Sequence, residues 1–315
     1  MNYDKNAIID KEKSIPTRAH VTVLGGDLRA VATAKKLTRR GHAVTLCGFS
    51  ESDSYPRAAR LCPSFKKAVS DADVLLLPLP VTRDGINIFC PLDRSLSVKL
   101  EDIDGQILKP NAVIFGGNIP HEFKSRLTGS GFCVFDYLED PSLALLNAHA
   151  TAEGALMYAM EATSTTLFGR NIAILGYGKI AERLCRLCLS FGAYVTVFAR
   201  RKEAMTLAKL HGACAVQLTP EHSKTLSHGF DIIFNTVPSR IIPTDTVRAL
   251  SADTLYIELA SSPFGIDVED ARHSAAKVIW AASIPGKYAP ETAGEIIADV
   301  VISQLDNLYA GGDRE

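Results

Sequence analysis

The chain has 315 residues, 47% hydrophobic and 22% charged, with a formal net charge of −1. That length suits two domains rather than one, and the near-neutral balance gives no reason to expect nucleic acid or an anionic membrane as partner. The longest apolar runs, such as Val74–Leu77, are far too short to span a bilayer, and the opening MNYDKNAIIDKEKS is charged with no signal-peptide core, so a cytoplasmic protein is expected.

Residues 1–18 read as a loosely held extension. His20–Leu24 comes next as a strand, Gly25-Gly26-Asp27 as a turn, Leu28–Arg40 as a helix ended by Gly41, and Ala43–Cys47 as the next strand. This is the start of a βαβ unit, yet GGDLRA lacks the third-position glycine of a dinucleotide turn. Asp27 would also bring negative charge to where a phosphate must sit, and it serves better as a helix N-cap. Arg29 stands one turn in, at the carboxyl edge of the expected sheet. It can hold a carboxylate bidentately or lie solvated on the helix, and both readings stay open. Ala72–Leu77 is a strand ending in Pro78-Leu79-Pro80, and Ala112–Phe115 is one ending in Gly116-Gly117-Asn118-Ile119-Pro120. Phe132–Phe135 closes the sheet. Residues 19–148 therefore read as an open α/β domain serving substrate or partner.

Residues 149–168 read as a connecting helix, capped by Thr151 and running to about Ala162. Its mouth is expected near a cleft between the domains, which makes His149 and Glu153 candidates for proton transfer. Glu153 can equally be a first-turn acid that stabilises the helix dipole, and His149 a loop residue.

The strongest motif lies at Asn171–Lys202. A buried strand, Ile172–Leu175, runs into Gly176-Tyr177-Gly178. A helix opens at Lys179 and Ile180, runs to about Phe191 and stops at Gly192, and Tyr194–Phe198 is the next strand. Gly176 permits the bend, Gly178 lets backbone approach a pyrophosphate, and Ala181 is the third small position of G-x-G-x-x-A. The helix N-terminus offers free N–H groups and partial positive charge. An NAD site has an acid about 20 residues on, for the ribose hydroxyls. Here Arg200, Arg201 and Lys202 stand instead, which favours the 2′-phosphate of NADP over NAD; a solvated basic loop is the plainer alternative.

Ala204–Leu210 is then a helix and Ala213–Val216 a strand. Asp231–Phe234 is a strand ending in Asn235-Thr236-Val237-Pro238-Ser239, where the nicotinamide half of the cofactor is expected. Thr254–Leu259 ends in Ala260-Ser261-Ser262-Pro263, and Lys277–Trp280 leads to Ser283–Pro290. Residues 169–290 form the NADP-binding Rossmann domain of this reading. A last helix, about Thr292–Leu308, carries Ile296, Ile297, Val300, Val301 and Leu305 at helical spacing, and residues 291–315 are expected to brace back on the first domain. The expected fold is two doubly wound parallel-sheet domains with a cleft between them. The seven cysteines are scattered and read as reduced thiols. Cys185 and Cys188 fall in mid-helix, where they fill core rather than bind metal.

Several pieces occur in a telling order: VLGGDLRA (23–30), FGGNIP (115–120), ATAEGALMYAM (150–160), AILGYGKIAERL (173–184), VFARR (197–201), FNTVPS (234–239), ELASSPFGID (258–267) and IPGKYAPETAGEII (284–297). On these the chain, from about residue 20 to 308, resembles the A subunit of dipicolinate synthase. The resemblance implies an oxidoreductase of sporulating bacteria, placed in the mother-cell cytoplasm. It would oxidise dihydrodipicolinate, or its hydroxy-tetrahydro precursor, to pyridine-2,6-dicarboxylate with hydride transfer to NADP. The separate flavoprotein-like B subunit of dipicolinate synthase is the implied partner, and a homo-oligomer is expected. A substrate with two carboxylates calls for cations and amides. Arg29, Ser261, Ser262, Lys287, Thr151 and Asn118 are the residues available for binding, with Glu153 or His149 as base. Another NADP-dependent dehydrogenase of a small carboxylate is the alternative, as is a non-catalytic NADP sensor; the loaded strand ends GGDLR and GGNIP weigh against the sensor.

Overall fold

The computed structural model describes residues 18–52 and 55–310, so the extension expected over residues 1–18 falls outside the described residues except for Arg18. The chain divides into two compact units, one reaching to Ala144 and resumed from Pro290, the other formed by Leu145–Ala289.

In the first unit β1 (His20–Leu24), β2 (Ala43–Cys47), β3 (Arg60–Leu61), β4 (Val74–Leu76), β5 (Val113–Gly116) and β6 (Cys133–Asp136) make one parallel sheet in the order β3-β2-β1-β4-β5-β6. Its central strands are mostly apolar because both faces are covered; Val21, Leu75, Ile114 and Phe115 are wholly buried, and so is Thr22 of β1. Helix α1 (Leu28–Arg39) starts on Asp27, whose side chain accepts the Arg29 N–H, and stops before Gly41 at φ +99°. The two-residue β3 and the helices α2 (Phe65–Ser70) and α3 (His121–Gly129) escape a reading of the sequence, being short and only weakly patterned.

Helix α4 (Pro141–Ala162) corrects one expectation. It begins at Pro141 rather than at a Thr151 cap. Asp140 accepts the N–H groups of Ser142 at 2.8 Å and Leu143 at 3.3 Å, and proline occupies the first helical position. Thr151 is therefore mid-helix, its hydroxyl donating to the Asn147 carbonyl at 2.8 Å. An Asp-Pro start ten residues upstream outcompetes a threonine that already lies within a run of good helix formers.

The second unit repeats the architecture. It comprises β7 (Asn171–Leu175), α5 (Lys179–Ser190), β8 (Tyr194–Ala199), α6 (Lys202–Leu210), β9 (Cys214–Gln217), α7 (Pro220–Ser223), β10 (Ile232–Asn235), α8 (Thr244–Arg248), β11 (Leu255–Glu258), α9 (Val268–Arg272), β12 (Lys277–Trp280) and α10 (Ile284–Tyr288). The sheet is parallel with order β12-β11-β10-β7-β8-β9. Both units thus carry the doubly wound Rossmann order, whose direction reverses between β1 and β4 in one and between β7 and β10 in the other. Cys185 and Cys188 are fully buried in the core of the second unit.

Helix α11 (Pro290–Ala310) belongs to the first unit. Its Ile296, Ile297, Val300, Val301 and Leu305 share a core with Val31, Ala34 and Leu37 of α1. The two helices cross so closely at Gly294 that a Cβ there would lie 2.2 Å from the Arg29 carbonyl oxygen.

Candidate functional site

In the second unit the motif residues line up along the carboxyl edge of the sheet. In strand order from β8 the edge presents Arg200–Lys202 after β8, Gly176–Gly178 after β7, Thr236–Pro238 after β10, Ser261 and Ser262 after β11, and Lys287 on α10 after β12. Parallel strands all end on one edge, so residues far apart in sequence become neighbours at about 4.8 Å per strand.

The Gly176 turn is shaped from below. Gly176 has φ +89°, and a Cβ on it would lie 2.7 Å from Thr236 Oγ1 and 2.8 Å from Val237 Cγ2, so glycine is required by packing. Gly178 differs: its φ is −97°, and a Cβ there would meet nothing within 4 Å. Packing against the protein therefore does not demand this glycine, and the space above it is free for a ligand. The backbone N–H groups of Tyr177, Gly178, Lys179 and Ile180 find no acceptor among the described residues. Unaccepted N–H groups at the mouth of a twelve-residue helix make an anion cradle. Ala181, wholly buried, lets α5 sit against the sheet. The donor set fits the pyrophosphate of a dinucleotide.

Arg200, Arg201 and Lys202 are exposed, and among the described residues their side chains form no hydrogen bond or ion pair. No carboxylate stands in that stretch. Tyr177, by contrast, turns inward: its ring is buried, and its hydroxyl lies 2.8 Å from His211 Nδ1 just past the end of α6. Only its backbone faces the turn.

Ser261, Ser262 and Lys287 are exposed, with side chains that have no partner among the described residues. Helix α10 packs on α4 through Gly154, where a Cβ would come 2.2 Å from Ile284 Cγ2, and through an edge-on Tyr158–Tyr288 pair at 5.0 Å. The glycine of the TAEG motif is thus explained by this crossing. His149 and Glu153, four apart, share one face of α4; both are exposed and unpaired among the described residues. They lie inside the helix rather than at its mouth, so the dipole reading of Glu153 falls with the Thr151 cap.

The first unit's turn has been filled by the chain itself. The Gly26 N–H donates to the Phe89 carbonyl at 2.8 Å, and a Cβ on Gly25 would lie 2.5 Å from Cys90 Sγ. Arg29 is buried and gripped by Asp27, through Nε at 2.9 Å and Nη2 at 2.8 Å, while Nη2 also donates to the Leu79 carbonyl. It is neither solvated nor free. The adjoining cavity, lined by Gly26, Asp27, Arg29, Pro78 and Tyr137, measures about 10 Å³, room for about one water molecule. Asn118 adopts φ +56° with an exposed side chain, its loop held by Asp136, which accepts the N–H groups of Asn118 at 3.1 Å and Ile119 at 2.8 Å.

The sequence names Asn235 only as the start of a strand-end segment and does not single out Glu258; they are the last residues of β10 and β11, paired in register and buried. The signal is present as polar residues closing apolar strands, but nothing local marks them as partners. Among the described residues no helix is long and apolar enough to cross a membrane.

Known proteins resemble this chain in sequence and in fold. Residues 20–138 match the family model for the N-terminal domain of the dipicolinate synthase A subunit. The dipicolinate synthase A subunit of Bacillus subtilis (strain 168) is 29% identical over 305 residues, covering 93% of this chain and 98% of that protein. The crystal structure of the dipicolinate synthase A subunit from Bacillus halodurans superposes with TM-score 0.80 at 25% identity, over 91% of this chain and 97% of that one. The corresponding crystal structure from Bacillus subtilis gives TM-score 0.80 at 27% identity, over 95% and 99%. Over nearly its whole length the chain is therefore similar to the dipicolinate synthase A subunits, and its residues 20–138 match the model of their N-terminal domain.

Proposed function

We propose that the chain is an NADP-dependent dipicolinate synthase of the A-subunit type, oxidising dihydrodipicolinate or its hydroxy-tetrahydro precursor to dipicolinate. The observation that carries this reading is the pairing, on one sheet edge, of the unaccepted N–H groups at Tyr177–Ile180 with the unpaired cations Arg200, Arg201 and Lys202. The first set suits a pyrophosphate and the second a 2′-phosphate, where an acid would repel one. NADP⁺, when bound, supplies the hydride acceptor.

The chain's own residues position substrate and take a proton. Thr236, Val237 and Pro238 form the shelf beside the Gly176 turn for the nicotinamide half. The hydroxyls of Ser261 and Ser262 and the ammonium of Lys287 are free to hold a carboxylate. Glu153 accepts the ring proton, with His149 one turn earlier on the same face. The ring gives up one hydride and one proton; from the hydroxy-tetrahydro form, water leaves as well. Aromatisation drives the step, so positioning and one base suffice. The flavoprotein-like B subunit of dipicolinate synthase is the proposed partner in the assembly.

Mixing the full-length protein, with and without that partner, with freshly made dihydrodipicolinate and NADP⁺ tests this. Near-ultraviolet absorbance of reduced nicotinamide should grow, faster with NADP⁺ than with NAD⁺. No cofactor reduction under either condition overturns the reading.

A further inference from the structure

Glu258 is 2% exposed, and its carboxylate closes β11 without a cationic partner among the described residues. It is nonetheless fully engaged. Oε1 accepts from Asn235 Nδ2 at 2.6 Å and from the Ala260 N–H at 3.0 Å. Oε2 accepts from the Gly265 N–H at 2.9 Å and from the Tyr256 hydroxyl at 3.2 Å. Asn235, wholly buried, passes the hold onward: its Nδ2 also donates to the Val237 carbonyl, and its Oδ1 accepts the Val237 N–H, each at 3.0 Å. Gly265 is glycine because a Cβ would lie 2.4 Å from Asn235 Nδ2.

One buried carboxylate thus fastens two loops. Through Asn235 it fixes Thr236–Pro238, and through Ala260 and Gly265 it fixes both ends of the segment that carries Ser261 and Ser262. We propose that Glu258 is a positioning residue, holding the loops on the nicotinamide side of the site in register with the Gly176 turn; this rests on the NADP reading above. All four partners donate, so the ionised carboxylate satisfies them all, whereas an amide in its place faces donors with a donor. Burial favours the neutral acid and pushes the group above the ordinary carboxylate range, while the hydrogen bonds oppose that shift. The network therefore matters to the state of the site as well as to its shape.

The experiment compares two probes on the full-length protein: NADP⁺, which spans the edge, and 2′,5′-ADP, which reaches only the Gly176 turn and the cations. Glu258→Gln should weaken NADP⁺ by about tenfold or more, since bonds to a charged group are lost, and leave 2′,5′-ADP within about twofold. Tyr256→Phe removes a single donor. It should weaken NADP⁺ by about threefold with 2′,5′-ADP unchanged, and it carries the test if the Gln variant does not fold. Both ligands unchanged, or both weakened in parallel, overturns the positioning role. Wild-type protein that binds 2′,5′-ADP not at all and NADP⁺ no better than NAD⁺ overturns the cofactor reading instead, and the proposal with it.

Discussion

Asp27 and Arg29 are each other's main partner: one carboxylate caps α1 through the Arg29 N–H at 3.0 Å and grips the same residue's guanidinium at 2.8 Å. The arginine side chain is 9% exposed, so removing the acid strands a nearly buried charge. Asp27→Ala should cost about 3 kcal/mol in urea unfolding, and the double variant Asp27→Ala/Arg29→Met should recover much of it. NADP⁺ affinity should not change in either. Weakened cofactor binding without loss of stability would place Arg29 in the binding machinery instead.

The two glycine turns should respond oppositely. Gly178→Ala places a methyl in open space at an ordinary φ, so it should cost no more than about 1 kcal/mol of stability. Its NADP⁺ affinity should nevertheless fall by about tenfold or more, because the methyl stands where the pyrophosphate must approach. Gly26→Ala, at φ +106° and with a Cβ 2.7 Å from that of Ala30, should lose about 2–4 kcal/mol in thermal unfolding.

Arg200→Ala and Arg201→Ala should each raise the NADP⁺ dissociation constant by about tenfold or more while leaving NAD⁺ within about twofold, since only the 2′-phosphate needs them. Calorimetric titration with both nucleotides distinguishes this from a solvated basic loop, for which neither constant moves.

Glu153→Gln should lower turnover by about 10²–10⁴-fold with an unchanged melting temperature, because the side chain is exposed and has no partner among the described residues. Steady-state rates with saturating NADP⁺ decide it. If only His149→Ala shows the loss, the base is one turn earlier on α4.

His42 makes folding pH-dependent. It is buried against Ala19, whose N–H it accepts at Nδ1 over 3.3 Å, and burial lowers its pKa below the ordinary 6.5. The unfolded chain therefore binds a proton more readily than the folded one. The His42 contribution to stability is present above about pH 6.5 and is lost as the pH falls below that value. Urea midpoints of His42→Gln should show a shallower decline than wild type over the same acid range.

Much of the framework is legible in the chain because strands and turns announce themselves locally. Ile172–Leu175 must be buried on both faces, Asp27 can cap only the helix after it, and Gly41 and Gly192 stop helices by taking positive φ. The absence of an acid from Val195 to Lys202 is likewise a property of the residues alone. The start of helix α4 is harder to read, because Thr151 offers a plausible cap and Asp140-Pro141, ten residues upstream, offers a better one.

The residues alone determined two doubly wound units, a G-x-G-x-x-A turn opening at Gly176–Gly178 and a basic stretch at Arg200–Lys202, because each depends on periodicity or on neighbours within a few positions. Only the tertiary structure decided that the Gly26 turn is closed by Phe89, that Arg29 is held by Asp27 and Leu79, and that Glu258 ties Asn235 to Gly265. Those outcomes rest on which donors and acceptors meet when distant strands end on one sheet edge, and hydrogen-bond partners chosen across that distance leave no pattern in the chain.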